Sequence, residues 1–248
     1  MSVVWFVVPI AVLMAVLKSS WFKGKFGEFK VNMMARLRLS GREYRLIKDV
    51  MLPAGNGTTQ IDHIIVSIYG VFVIETKNMK GSIFGAQDQP VWTQKFYRCS
   101  NTFQNPLHQN YKHVKTLAQL LTLREGQIHS LVVFIGDGVF KTQMPENVTR
   151  GAGYIRYIKS KRDPVLSLSE VEDIVEKIET GRLTSSFKTR REHIRHVRNI
   201  VKEKQNGMVC PRCGAPMVMR TLKNGQNAGR QFWGCSRFPS CRGIVNNT

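Results

Sequence analysis

The sequence predicts an α/β domain, a mixed sheet flanked by helices, with an apolar segment ahead of it and a small cysteine-rich unit behind. Two adjacent strand-like segments at 60–66 and 71–77, with a continuous apolar run at 130–135 after them, carry the sheet. Apolar residues at helical spacing, at Leu168, Val171, Ile174, Val175 and Ile178, carry the helical layer. Four cysteines in two close pairs near the end of the chain mark the small unit. A chain of 248 residues has room for one medium domain with small attachments.

The first seventeen residues carry no charge, and the apolar run reaches about the 20 residues that span a bilayer if it is extended to Trp21 and Phe22. A cleaved signal peptide has its positive charge before the apolar run; here Lys18, Lys23 and Lys25 come after it. The expectation is a single-pass transmembrane anchor at 1–22 in the cell membrane, with the bulk of the chain cytoplasmic by the positive-inside rule. A buried helix or an interfacial anchor competes with it, because Pro9 interrupts the run.

Residues 24–182 read as the α/β domain. A helix at 24–39 leads to a strand at 44–52, then to the pair at 60–66 and 71–77 joined by a Tyr69-Gly70 turn. Short strands follow at 82–84 and 91–96. Asn105 is a good N-cap and Pro106 a good first helical residue, so a helix runs from there to about Arg124. The run at 130–135, ended by Gly136-Asp137-Gly138, suits a strand buried on both faces, and 153–158 gives another strand. Ser167 and Ser169 cap the helix through Ile178, and Gly181 ends it. Residues 183–207 form a basic helix or linker with a narrow stripe of Ile194, Val197 and Val201, and 208–248 form the cysteine-rich unit. No internal repeat or low-complexity stretch is present.

Charge narrows the partners. Lys and Arg number 37 against 17 Asp and Glu, a formal balance of +20. Such an excess favours nucleic acid or anionic membrane surfaces. It concentrates before Lys48, in the 183–207 segment and in the cysteine-rich tail, which has no acidic residue.

Asp62 lies within a run of isoleucines and valines, where an unpaired carboxylate is costly to bury and calls for a cation, a hydrogen-bond donor or an open cleft. Glu75 and Lys77, two apart on the next strand, share a face. Two carboxylates meeting there can hold a hard cation such as Mg²⁺ or Mn²⁺, and a lysine beside them can orient water or steady phosphate charge. The bland reading is a solvated strand face with a local ion pair, and a second Glu-x-Lys at Glu28 and Lys30 shows how common the pattern is. Gln109 and His113 lie one helical turn apart and can approach the sheet together; equally, they can simply satisfy buried backbone groups.

The ordered set Gly27-Glu28, Thr59-Gln60-Ile61-Asp62-His63-Ile64, Gly70-Val71-Phe72-Val73-Ile74-Glu75-Thr76-Lys77-Asn78, Gly81-Ser82-Ile83, Trp92 and Asn105-Pro106-Leu107-His108-Gln109 resembles the nuclease-related (NERD) domain, over much of 24–135. That family is related to the PD-(D/E)xK nucleases, so the resemblance implies a restriction-endonuclease-like mixed sheet. It also implies a metal site at Asp62 and Glu75, Lys77 as catalytic lysine, and accessory roles for Glu28 and Gln109. Where the wider fold commonly has Pro-Asp, this chain has Ile61-Asp62.

Cys210-x2-Cys213 and Cys235-x5-Cys241 suit tetrahedral thiolate coordination of Zn²⁺. Disulfides are the alternative, disfavoured by a cytoplasmic location and by a tail that needs a staple to fold. Cys99 reads as an ordinary thiol. The wording Gly-Cys-Ser-x-Phe-Pro-x-Cys resembles the four-cysteine zinc ribbon of bacterial type IA topoisomerases, which implies single-stranded DNA binding. Arg230, Arg237 and Arg242 fit phosphates, and Phe232, Trp233 and Phe238 fit base stacking, unless Trp233 or Phe238 packs the small core. The combined expectation is a membrane-anchored, divalent-metal-dependent nuclease acting on DNA, with no small-molecule cofactor. A non-catalytic nucleic-acid-binding protein and a membrane-associated scaffold are the alternatives.

Overall fold

The computed structural model describes residues 19–54, 57–97, 99–183, 210–222 and 229–246, with isolated positions 8, 14 and 17. Most of the expected anchor at 1–22, and the expected basic helix at 183–207 beyond its first residue, lie outside the described residues. Among those described, no helix is long and apolar enough to cross a membrane. The chain divides into two compact units, 1–184 and 185–248.

The first unit is a mixed α/β domain. Helix α1 spans Ser20–Arg38, starting four residues before the expected 24, because the Ser19 side chain accepts a hydrogen bond from the Phe22 amide and caps it there. Strands β1 (Arg45–Ala54), β2 (Gly57–Ser67) and β3 (Gly70–Asn78) form an antiparallel meander. The β2–β3 turn is Ile68-Tyr69, with Ser67 and Gly70 closing it, one residue earlier than the expected Tyr69-Gly70. Strands β4 (Gly81–Phe84), β5 (Val91–Phe96) and β6 (Cys99–Gln104) follow, then helix α2 (Pro106–Leu121), capped by Asn105. After it come β7 (Ile128–Ile135), β8 (Gly138–Phe140) and β9 (Val148–Arg150), and the unit closes with α3 (Gly153–Ser160) and α4 (Leu168–Gly181).

Five strands form the main sheet in the order β1-β2-β3-β7-β9, with β7 and β9 parallel to their neighbours. One face packs Val66, Val71 and Val73 against Leu117 and Leu121 of α2 and Ile174 and Ile178 of α4. The other packs Phe72, Ile74 and Leu131 against Val31 and Ala35 of α1 and Tyr154 and Ile158 of α3. A second sheet, β6-β5-β4-β8, packs Ile83 and Trp92 against Val132 and Phe134 of β7.

The segment 153–158 is helical, not the strand its sequence suggested. Tyr154, Ile155 and Ile158 form one buried helical face, and the Tyr154 hydroxyl donates to the Val31 carbonyl at 2.7 Å. The edge strand lies just before it, as β9. The polar β6 and the three-residue β8 and β9 carry too little periodicity to be read from sequence.

The second unit is a three-stranded antiparallel sheet of β10 (Met217–Thr221), β11 (Gln231–Cys235) and β12 (Ile244–Asn246). Its core is Cys210, Ala215, Met217, Trp233 and Cys235.

Candidate active site and metal-binding ribbon

The candidate active site forms where two strands come apart. The β2–β3 ladder runs from Ser67↔Gly70 to His63↔Ile74 and stops there. At the next step Asp62 and Glu75 lie opposite each other, and the Asp62 carboxylate takes the place of a ladder acceptor: its Oδ2 accepts the Thr76 amide at 2.9 Å. On the other side of β2, Asp49 of β1 lies across from Asp62, between the Lys48↔His63 and Val50↔Ile61 pairs, with φ at +52°.

Both strands change sidedness at this point. Ile47 and Ile64 lie in the α2-side core, and so do Val50, Leu52 and Ile61, which strict alternation would send to the opposite face. The left-handed conformation at Asp49 takes up the half-turn. This break explains how an acid sits inside an apolar run: Asp62 marks the crossover.

Helix α2 brings the other side of the site. It is pinned to the sheet by buried Asn110, whose Nδ2 donates to the Val73 carbonyl and to Ser130 Oγ, both at 2.9 Å. Asn105 holds its start, accepting from the Leu107 amide and donating to the carbonyls of Ala86, Gln87 and Gln89. So placed, α2 presents Gln109 and His113. Lys77 Nζ donates to Glu75 Oε1 at 2.7 Å and to Gln109 Oε1 at 2.8 Å. His113 Nε2 stands 3.3 Å from Glu75 Oε2, and its Nδ1 is hydrogen-bonded to Thr59 Oγ1 at 2.7 Å.

Helix α1 brings Glu28 from the opposite face. Gly27 allows the approach: a Cβ there would lie 3.0 Å from the Asn78 Cβ, and Asn78 Nδ2 donates to the Lys23 carbonyl at 2.6 Å. Glu28, Asp49, Asp62, Lys25, Lys48 and Asn32, with Phe29 at the edge, line a polar cleft of about 290 Å³. Lys25 Nζ lies 2.7 Å from Glu28 Oε2 and 3.2 Å from both Asp49 oxygens, and Gln60 Nε2 donates to Asp49 Oδ1 at 2.7 Å.

These surroundings push the two central carboxylates apart. Burial, reinforced by the Glu75 charge, raises Asp62 well above the usual carboxylate range. Burial would raise Glu75 too, but His113 and Lys77 outweigh it and hold Glu75 below the ordinary range. The pair is therefore an acid that tends to stay protonated beside a buried carboxylate already paired with the Lys77 ammonium.

Asp62, Glu75, Lys77 and Gln109 thus come together. Glu28 reaches the same crevice from α1 while keeping its surface partner Lys25. Sequence reasoning missed Asp49, Asn32 and Lys48. The signal for Asp49 was the unbroken apolar triplet Val50-Met51-Leu52 after it, which strict alternation forbids on a half-buried strand.

In the ribbon, the Sγ atoms of Cys210, Cys213, Cys235 and Cys241 all lie within 4.8 Å of one another. Cys210 and Cys241 are 3.7 Å apart and Cys213 and Cys235 3.5 Å. Four thiolates on one Zn²⁺ at a Zn–S distance of about 2.3 Å lie about 3.8 Å apart, so the set fits zinc. Cys235 Sγ also accepts from the Arg237 amide at 3.4 Å. Gly243 is required beside them, since a Cβ there would collide with Cys210 Sγ. Of the residues expected to meet nucleic acid, Trp233 is 8 % exposed and packs the ribbon core, whereas Phe238 is 55 % exposed. Phe232 is half-buried, and Arg230, Arg237 and Arg242 are exposed. Arg220, unforeseen, sets its guanidinium 5.2 Å from the Phe238 ring centre.

Comparison with known proteins agrees with this division. Residues 23–135 match the nuclease-related domain (NERD), and residues 207–247 match the topoisomerase DNA binding C4 zinc finger. The chain therefore carries a nuclease-related domain followed by a four-cysteine zinc ribbon. An uncharacterized protein of Bacillus anthracis is 45 % identical over 101 residues, covering 40 % of this chain and 47 % of that relative. The match spans about half of the relative's length. No solved structure matches.

Proposed function

We propose that this chain is a membrane-anchored, divalent-metal-dependent nuclease acting on DNA, and that its ribbon binds single-stranded DNA. The observation that carries the reading is the Lys77 ammonium, held between Glu75 and Gln109 on the strand facing Asp62. The donors on offer, carboxylate and amide oxygens, are hard ligands of the kind Mg²⁺ or Mn²⁺ takes, and Mg²⁺ commonly needs only one or two protein carboxylates. Asp62 and Glu75 would hold the ion, which when bound supplies Lewis acidity toward water and phosphate. Lys77 orients the attacking water or steadies the developing phosphate charge. Gln109 fixes the lysine, and His113, itself held by Thr59, stands against Glu75. Glu28 would extend the carboxylate set from α1.

The apolar residues before Lys18 and the cations after it support the anchor, with residues 24–248 on the cytoplasmic side. Exposed arginines and Phe238 on the ribbon support the DNA partner.

Purified protein incubated with labelled linear, circular and single-stranded DNA should cleave with Mg²⁺ or Mn²⁺ and stop in excess chelator. Asp62→Ala, Glu75→Ala and Lys77→Ala should each lower the rate by about 10²-fold or more while DNA binding persists. Chelator-resistant cleavage, or full activity in Asp62→Ala, would remove the mechanism. One observation favours a second reading, a non-catalytic DNA binder: Lys77 already neutralises Glu75, and Lys25 already bridges Glu28 and Asp49. Binding without cleavage under every metal condition would select it.

A further inference from the structure

Helix α1 has two apolar faces. Val31 and Ala35 turn inward to the sheet and are buried. On the other side Phe26, Phe29, Met33 and Leu37 are 43, 57, 47 and 75 % exposed. At 100° per residue these four, with Phe22 stacked on Phe26 at 6.2 Å, fall within an arc of about 80° running the length of the helix. A surface helix of a globular domain ordinarily has one such stripe. The outer one has no covering element among the described residues of its unit.

The setting indicates what covers it. Lys30 flanks the stripe on one side and Arg36 on the other, and the Lys30 ammonium sits 4.7 Å from the Phe26 ring centre. Over its length α1 carries five cations, at Lys23, Lys25, Lys30, Arg36 and Arg38, and one acid, Glu28, which points to the cleft. That charge excludes burial of α1 across a bilayer, yet apolar rings with cations along both edges are the pattern of a helix lying in a lipid interface. The chain just ahead of it, up to Leu17, is uncharged and apolar.

We infer that α1 lies along an anionic bilayer surface, with Phe26, Phe29, Met33 and Leu37 at the headgroup–acyl boundary and Lys30 and Arg36 on lipid phosphates. The inference shares with the proposed anchor only the membrane as partner, and it is independent of nuclease activity. Glu28 and Asn32 lie further round the same helix, and Phe29 belongs to both the stripe and the cleft edge, so the cleft would open at the bilayer surface rather than within it.

The test uses full-length protein with p-benzoylphenylalanine placed singly at Phe26, Phe29 or Met33, and at exposed Tyr111 of α2 as control, reconstituted with vesicles of phosphatidylcholine with or without phosphatidylserine. Illumination should give lipid adducts at the three α1 positions and none at Tyr111. Replacing Lys30 and Arg36 by Gln should abolish the gain that phosphatidylserine gives. Extraction with alkaline carbonate reads the anchor separately. Protein that resists extraction but forms no stripe adducts would overturn the inference and leave the anchor standing. Adducts from protein that carbonate releases would do the reverse. Cross-links between two copies at the stripe would replace the bilayer by a dimer contact and also overturn it.

Discussion

At His63 the protein buries an imidazole completely, with Nδ1 3.4 Å from Thr76 Oγ1 and the Glu28 backbone beside the ring. Burial lowers its pKa to about 4, so the folded state holds it neutral where the unfolded chain, near 6.5, takes up a proton. Its stabilising neutrality is therefore intact above about pH 6.5 and lost as pH falls toward 4, a contribution of at most about 3 kcal/mol. His63→Leu should flatten the pH dependence of urea unfolding in that window; an unchanged slope would show that another group titrates. Asp62 behaves oppositely. Its raised pKa, to about 8, means that the metal-free fold is penalised as pH climbs from the ordinary carboxylate range to that value. Asp62→Asn, which keeps an acceptor for the Thr76 amide, should raise Tm at pH 8 in chelator by several degrees, at about 2–4 °C per kcal/mol, and have little effect at pH 4. A lower Tm at pH 8 would mean that the negative charge itself stabilises the crevice.

Among the elements, the ribbon makes the sharpest prediction. With a core, among the described residues, of Cys210, Ala215, Met217, Trp233 and Cys235 edged by half-buried Cys241 and Val245, its fold should depend on the metal. Metal analysis should find one zinc per chain, and Cys99→Ser should leave that number unchanged. Cys213→Ala or Gly243→Ala should remove zinc and the ribbon's cooperative melting while the transition of residues 19–183 stays in place; zinc retained by Cys213→Ala would disprove the four-thiolate shell. The ribbon was legible because ligand spacing is a covalent property of the chain. The hairpin of β2 and β3 was legible because two short apolar runs joined by a turn are local signals, and only the turn lies one residue earlier than expected. The segment 153–158 misled because Tyr154, Ile155 and Ile158 suit either a short buried strand or one helical face, and only packing on α1 distinguishes them. The α1 stripe escaped notice for a related reason: a helix apolar on two opposite sides cancels its own periodic signal. Asp49 was hidden because its role depends on a backbone crossover shared by two strands.

For the whole molecule, the +20 charge should make nucleic-acid binding strongly salt-dependent. Replacing Arg230, Arg237 and Arg242 together by Gln should reduce the slope of log K against log salt by about 2 for single-stranded DNA, at roughly 0.7 per phosphate contact. An unchanged slope in fluorescence anisotropy titrations would place the phosphate contacts elsewhere, on the cations that flank the nuclease-related domain. The broad division into an α/β domain and a zinc ribbon could be read from the chain; the crevice between diverging strands could not, since it needs β1, β2, β3 and α2 in their folded register.

The hydrogen bond from the Thr76 amide to Asp62 also gives the crevice its own spectroscopic reporter. An amide proton held by a carboxylate resonates differently when that carboxylate gains a proton or turns toward a cation. The Thr76 cross-peak in a ¹⁵N–¹H spectrum should therefore follow both the titration of Asp62 and the arrival of Mg²⁺, without any substrate and without any turnover. A cross-peak that ignores both would show Asp62 to be a permanent backbone cap, a strand end sealed by a side chain.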